Sequence, residues 1–191
     1  RGSMFNYYLS PNLSSSYTHQ WGDHFFKAMA GYQMELQEYS EEYMYKDGML
    51  SNDIYSFDNA SGNVIAGEAR SHWATMGFYT RLNWNYNNIY FLEFSGRYDG
   101  SSRFSPDSRW GAFPSFSLGW RLSEEYFMAG TKDYLSNLKL RLSYGKSGNN
   151  RTSDYAWQGT YGTAPVVIDG KQTMGLAVSK IGNNYLEWES T

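Results

Sequence analysis

The sequence predicts an all-β chain: an antiparallel transmembrane β-barrel segment, laid out as a meander of about seven strands that forms an incomplete barrel. Three observations predict it. Apolar and polar residues alternate with a period of two in one stretch after another. The apolar content rests on aromatics, with Tyr 18, Phe 11 and Trp 7 making 19% of the 191 residues, and such rings suit a surface where apolar matter meets water. Finally, the connections between alternating stretches are short and long in turn, as in barrels with tight turns at one end and long loops at the other.

The first element is a strand around Leu13 to Thr18, with Pro11 marking its outer end because proline cannot donate to a ladder. After the tight turn Trp21-Gly22-Asp23, a strand from His24 sets Phe26, Ala28, Tyr32, Met34 and Leu36 on one face and Lys27, Gly31, Gln33, Glu35 and Gln37 on the other. Ser71 to Tyr86 repeats the pattern, turns at Asn87-Asn88, and returns from Ile89 to Asp99 with Tyr90, Leu92, Phe94 and Tyr98 opposite Glu93, Ser95, Arg97 and Asp99. Ala112 to Ser123 and Leu138 to Tyr144 follow, and a last strand starts near Leu186. Each approaches the ~9 to 11 residues that cross a bilayer obliquely.

Long connections are expected at Glu38 to Arg70, Gly100 to Trp110 and Lys146 to Asn184, on the outer side. Within the first, the Glu and Met content of Glu38 to Asp47 predicts a helical turn, and Ser123-Glu124-Glu125 predicts the opening of a short helix. Arg1-Gly2-Ser3-Met4 carries no weight in this reading.

Several classes fall away on composition. Hydrophobic residues make 41% of the chain and the mean hydropathy is -0.64, low for a large compact core. With Cys 0 there is neither a disulfide scaffold nor a thiolate metal site. A net charge of -3 without a Lys/Arg cluster argues against a nucleic-acid partner. No run reaches the ~18 apolar residues of a membrane helix, so a membrane protein built from this chain crosses with strands. Arg1 to Phe5 lacks the apolar region of a signal peptide, so a signal and a further N-terminal portion are expected upstream. One alternative remains open at this point: a soluble or surface-exposed, aromatic-rich β-sandwich that binds glycans also alternates.

Three runs are family-like. Arg97-Tyr98-Asp99-Gly100-Ser101-Ser102-Arg103-Phe104 is followed by Trp110-Gly111-Ala112-Phe113-Pro114-Ser115 and Leu118-Gly119-Trp120-Arg121-Leu122-Ser123. Together they resemble the most recognisable part of SusC/RagA-like TonB-dependent importers. Trp21 to Tyr32, Leu138 to Asn149 and Leu186-Glu187-Trp188-Glu189 resemble further family segments in the same order, while Glu38 to Arg70 and Arg151 to Asn183 match least. The resemblance implies one barrel domain in the bacterial outer membrane, closing with ~22 strands around a plug that lies outside residues 1–191. It also implies a TonB complex as driver, a SusD-like lipoprotein as lid, and oligosaccharides or peptides as cargo.

No cofactor is expected, and no nucleophile, base and orienting acid converge, so no enzyme is predicted. The nearest thing to a site is the inner charge set Glu93, Arg97, Asp99, Arg103, Asp107 and Arg109, together with loop aromatics led by Tyr155 and Trp157. These residues would contact substrate or plug, or else brace the wall as ion pairs. Tyr39, Tyr43, Tyr45, Tyr55, Phe57 and Tyr161 are further candidates for stacking on sugar rings or packing within loops. Gly145-Lys146-Ser147 lacks the earlier glycine of a phosphate loop, His19, His24 and His72 show no metal spacing, and the Asn-x-Ser/Thr triplets at Asn12, Asn59 and Asn150 signify nothing without a glycosylating host.

Overall fold

The alternation in the sequence becomes a ladder in which outward residue meets outward residue across every strand pair. A computed structural model describes residues 1–191. In chain order the strands are β1 (Gly2–Leu9), β2 (Asn12–Trp21), β3 (His24–Lys46), β4 (Val64–Tyr86), β5 (Tyr90–Ser101), β6 (Trp110–Arg121), β7 (Lys139–Gly145), β8 (Gly148–Asn149), β9 (Thr160–Ile168), β10 (Lys171–Lys180) and β11 (Glu189–Ser190). The main sheet runs β1-β3-β4-β5-β6-β7, with β2 also paired to β3. All of its pairings are antiparallel. The wall does not close on itself.

Two prolines explain how these segments join into barrel strands. β1 and β2 share a single register on β3, from Gly2↔Tyr43 to Trp21↔His24, so they are one strand interrupted at Pro11. The Met34 amide donates to the Pro11 carbonyl at 3.0 Å, but Pro11 has no N–H to return the bond. Pro11 therefore sits mid-strand instead of at its outer end, and of the unweighted N-terminal residues Gly2, Ser3 and Met4 belong to β1. On β6, the Lys146 amide donates to the Pro114 carbonyl at 2.9 Å with no bond in return, and the β6–β7 ladder stops there. Beyond it the strand continues as β8, whose other edge pairs with β11. Counted this way, β1–β2, β3, β4, β5, β6, β7–β8 and β11 make the seven expected strands, the last beginning at Glu189 instead of near Leu186.

Two expected loops are more ordered than the sequence indicates. Glu38 to Lys46 is strand, not helical turn, because β1 and β4 pair with it on both edges down to Lys46↔Val64. Its helix-forming residues are overridden by that pairing. The long β7–β11 connection holds the β9–β10 hairpin, closed at Asp169-Gly170 with φ of 52 and 74. The tight turns match expectation, Asn87 and Asn88 both taking positive φ as a primed hairpin turn requires. Ser123 and Glu124 lie in a 3-10 turn, Leu122–Glu124, and Glu125 links it in extended backbone to a second one, Tyr126–Thr131.

The outward positions form a belt. Phe26 meets Trp84, Trp84 meets Leu92, Leu92 meets Leu118 and Leu118 meets Leu142. One end of the belt carries Trp21, Tyr86, Tyr90 and Trp120; the other carries Tyr32, Phe78, Tyr98 and Trp110. From Tyr90 to Tyr98 the strand advances about 27 Å, which at barrel tilt gives a height of about 20 Å, close to the apolar band of a membrane barrel. Only 9 of 191 residues are buried, and none of the apolar ones, Ala60, Phe104, Phe113 and Ala156, is an outward belt residue. No second sheet covers either face of the wall, which removes the sandwich alternative.

Candidate functional site

The inner face splits into two zones with different electrostatics. Towards the tight turns, Lys27, Asn83, Glu93, Ser117 and Ser143 follow one another across the wall, lining a concave trough of about 660 Å³. Glu93 faces Arg81 here at 4.0 Å, with both side chains half exposed. This sets Glu93 apart from the other predicted charges.

Towards the long loops, Arg97, Asp99 and Arg103 converge on a cavity of about 240 Å³. Arg97 donates from Nε and Nη2 to the two Asp99 oxygens, each at 3.0 Å, and lies over the Tyr79 ring at 5.6 Å. Asp99 needs a neighbour without a side chain: a Cβ on Gly77 would stand 1.8 Å from its Oδ1. The Gly31–Tyr79 pair works in the same way, since a Cβ on Gly31 would lie 2.3 Å from the Tyr79 ring. Small residues on one strand thus create room for large inward groups on the next.

Arg103 follows β5 and is committed to holding loops together. Its Nε donates to Asp154 at 3.1 Å, its Nη1 to the Asn150 carbonyl at 3.4 Å, and its guanidinium covers Trp73 at 5.0 Å. Ser101, 1% exposed, accepts from the Arg103 amide and the Asn150 amide group, and Ser105 donates to the Asn184 carbonyl at 3.1 Å. The short outer loop is therefore strapped to both ends of the longest one.

The remaining predicted residues scatter. Asp107 is exposed with no ion-pair partner. Arg109 contributes its carbonyl, which accepts from Trp188 Nε1 at 2.8 Å, while its own Nε is buried without a partner. Tyr155, at a φ of 49, brings its hydroxyl within 2.5 Å of His72 Nε2. Trp157 keeps its Nε1 buried and unpaired. Tyr39, Tyr43 and Tyr45 are strand residues of β3, and Tyr39 donates to Glu41 at 2.7 Å.

Residue-type reasoning missed Gln33, Glu35, Trp73 and Trp188, which line the same cavity. Trp73 had a visible signal: it occupies the polar phase of an otherwise apolar-outward strand, so its indole points inward. There it donates to Gln37 at 3.0 Å. The cavity offers indole faces, a guanidinium, carboxylates and an amide at the mouth of the inner face, a mix that can hydrogen-bond and stack on a polar ligand.

Comparison with known proteins assigns this architecture. The family described as TonB dependent receptor-like, beta-barrel, matches residues 1–191. TonB-dependent receptor SusC of Bacteroides thetaiotaomicron is 31% identical over 200 residues, covering 99% of this chain and 19% of the relative. TonB-dependent receptor P26 of Formosa agariphila is 37% identical over 147 residues, covering 74% of this chain and 15% of the relative. The chain thus spans less than a fifth of the length of these curated relatives. The solved structure of the RagAB peptide importer in its closed-closed state superposes with a TM-score of 0.89 at 23% identity, over 99% of this chain and 21% of that one, a likeness of fold. By family match and by identity to SusC, this chain belongs to the TonB-dependent receptor β-barrels of the SusC/RagA-like kind.

Proposed function

We propose that this chain forms wall and outer rim of an outer-membrane importer for oligosaccharides or peptides, working with a TonB complex and under a SusD-like lipoprotein lid. The observation that carries the reading is the rim cavity of Arg97, Asp99 and Trp73, which Arg103 and Asn150 of the long connections also line. Recognition groups concentrate on loops held by a rigid scaffold, and here the scaffold and the strapped loops meet. The apolar belt on the opposite face fits lipid, and family membership supports the transport role. Within the predicted set, Arg97 and Asp99 are the substrate-contacting candidates, whereas Arg103, paired with Asp154, braces the loops. Glu93, in a trough also lined by Lys27, Lys139 and Arg141, would face lumen contents deeper in the wall.

Uptake by cells carrying the full-length protein tests the reading. Trp73→Ala combined with Arg97→Ala should cut uptake of a labelled oligosaccharide mixture or a peptide mixture while heat-stable barrel assembly is retained. Deleting the Asp169-Gly170 hairpin tip should impair uptake or lid binding in the same assay. Normal uptake of both mixtures by all variants would remove this rim from the transport path.

A further inference from the structure

The turn joining β6 to β7 lies on the outer side of the wall, at the end of the belt opposite the long loops. Glu125 locates it. Its carboxylate accepts from Tyr90 Oη at 2.5 Å and from Trp120 Nε1 at 2.9 Å, and both of those rings are outward belt residues stacked at 6.4 Å. Phe127 then meets Trp120 edge-on at 6.5 Å. The polar tips of two belt-edge rings are therefore bound by the protein itself, and are not left free for water or lipid headgroups.

New rings stand beyond them. Tyr126 is 95% exposed and Phe127 65% exposed, on a 3-10 turn tied back by a Lys132–Glu124 pair at 3.2 Å. Apart from the edge contact of Phe127 with Trp120, both rings stand mostly in the open, and burying the rest of their surface would be favourable. Hydrogen bonds from Tyr90 and then Trp120 hold the Glu125 carboxyl below the usual carboxylate range, so the clasp is made by the ionised form at neutral pH.

We propose that Leu122 to Lys132 is an interfacial foot that seats Tyr126 and Phe127 at the headgroup–acyl boundary of the periplasmic leaflet, with phospholipid as its partner. It widens the aromatic contact of the wall at β5 and β6 beyond what strand residues alone supply. The choice of lipid over a soluble protein rests on continuity: Phe127 packs on the same Trp120 that ends the apolar belt.

The proposal rests on the belt facing lipid, and the test separates the two. In the full-length protein, with any other cysteine replaced, a bimane fluorophore is attached at Phe127→Cys, at Tyr126→Cys or at Leu118→Cys in the belt. Each variant is folded into phosphatidylcholine vesicles brominated either near the glycerol end or near the methyl end of the acyl chain. Labels at 126 and 127 should lose fluorescence to shallow bromine and little to aqueous iodide, and the label at 118 to deep bromine. Quenching of 126 and 127 by iodide alone, with 118 still quenched by lipid, would overturn the foot. Failure of 118 to respond to bromine would instead overturn the lipid-facing belt. Glu125→Gln should shift the 127 label towards iodide, because the clasp loses its charge; an unchanged label would show that Glu125 does not hold the turn.

Discussion

β4 is one strand with two surfaces, and comparing its halves shows where the apolar environment ends. From Ala74 to Tyr86 the outward residues are Ala74, Met76, Phe78, Thr80, Leu82, Trp84 and Tyr86, none charged. From Val64 to His72 the same phase carries Glu68, Arg70 and His72, and Glu68 pairs with Arg70 at 3.1 Å. β3 changes at the same level, from Leu36 opposite Ala74 to Glu38 opposite His72. The backbone runs through the boundary without a break, so strand geometry cannot be what sets it. Solvent does: water accepts charge on the outer half and hydrocarbon would reject it on the inner half.

The largest effect should come from breaking the rule inside the belt. Leu92 lies outward between Trp84 and Leu118. Leu92→Arg in the full-length protein should destabilise folding into vesicles by about 2 to 4 kcal/mol, as for a cation near the bilayer midplane. Ser95→Arg, on the inner phase of the same strand, should cost far less. Denaturant titration of the folded fraction compares them, and equal losses would mean that the faces are assigned wrongly.

A smaller effect is expected at the rim. Asp154→Ala removes the Arg103 partner, both side chains being about four-fifths shielded. The loss of a charge-assisted hydrogen bond, about 1.5 to 3 kcal/mol, should fall on the loops. Faster proteolytic cutting between Asn149 and Asn184, with the heat resistance of the wall unchanged, is the expected result.

Acid should act on the Glu125 clasp by a still smaller amount. Because the folded carboxyl is held below its ordinary value of 4.5, its contribution is present above that value and is lost as pH falls through the lower, folded value. Trp120 emission should change in that acid range in the parent protein and not in Glu125→Gln. At the outer half of β4, Arg70→Leu should shift stability by less than about 0.5 kcal/mol, since the exposed pair with Glu68 counts for little.

Much of the wall was legible in the sequence because period two maps directly onto faces. Phe26, Leu82, Leu92 and Leu118 lie where alternation puts them. The outer ends were less legible for a physical reason: above the belt both faces of β3 and β4 meet water, so the apolar contrast that marks a strand vanishes. Glu38 to Lys46 then reads as a polar, helix-prone stretch although pairing on two edges makes it strand. Pro11 misled in a related way, because one missing donor interrupts an edge ladder without ending it. At the rim, Arg97 and Asp99 were recoverable from charge on the inner phase. Asp154 and Asn150 were not, since their contact with Arg103 spans about fifty residues of chain that no local pattern records.

The central claim is that two faces of one sheet meet different solvents, and collision accessibility along β5 tests it most directly. Nitroxide side chains would be placed singly from Tyr90 to Asp99 in the full-length protein in phosphatidylcholine vesicles. Even positions should favour oxygen, and odd positions should favour a water-soluble nickel chelate or be shielded from both reagents. Nickel access at the even positions, or no alternation at all, would contradict the account.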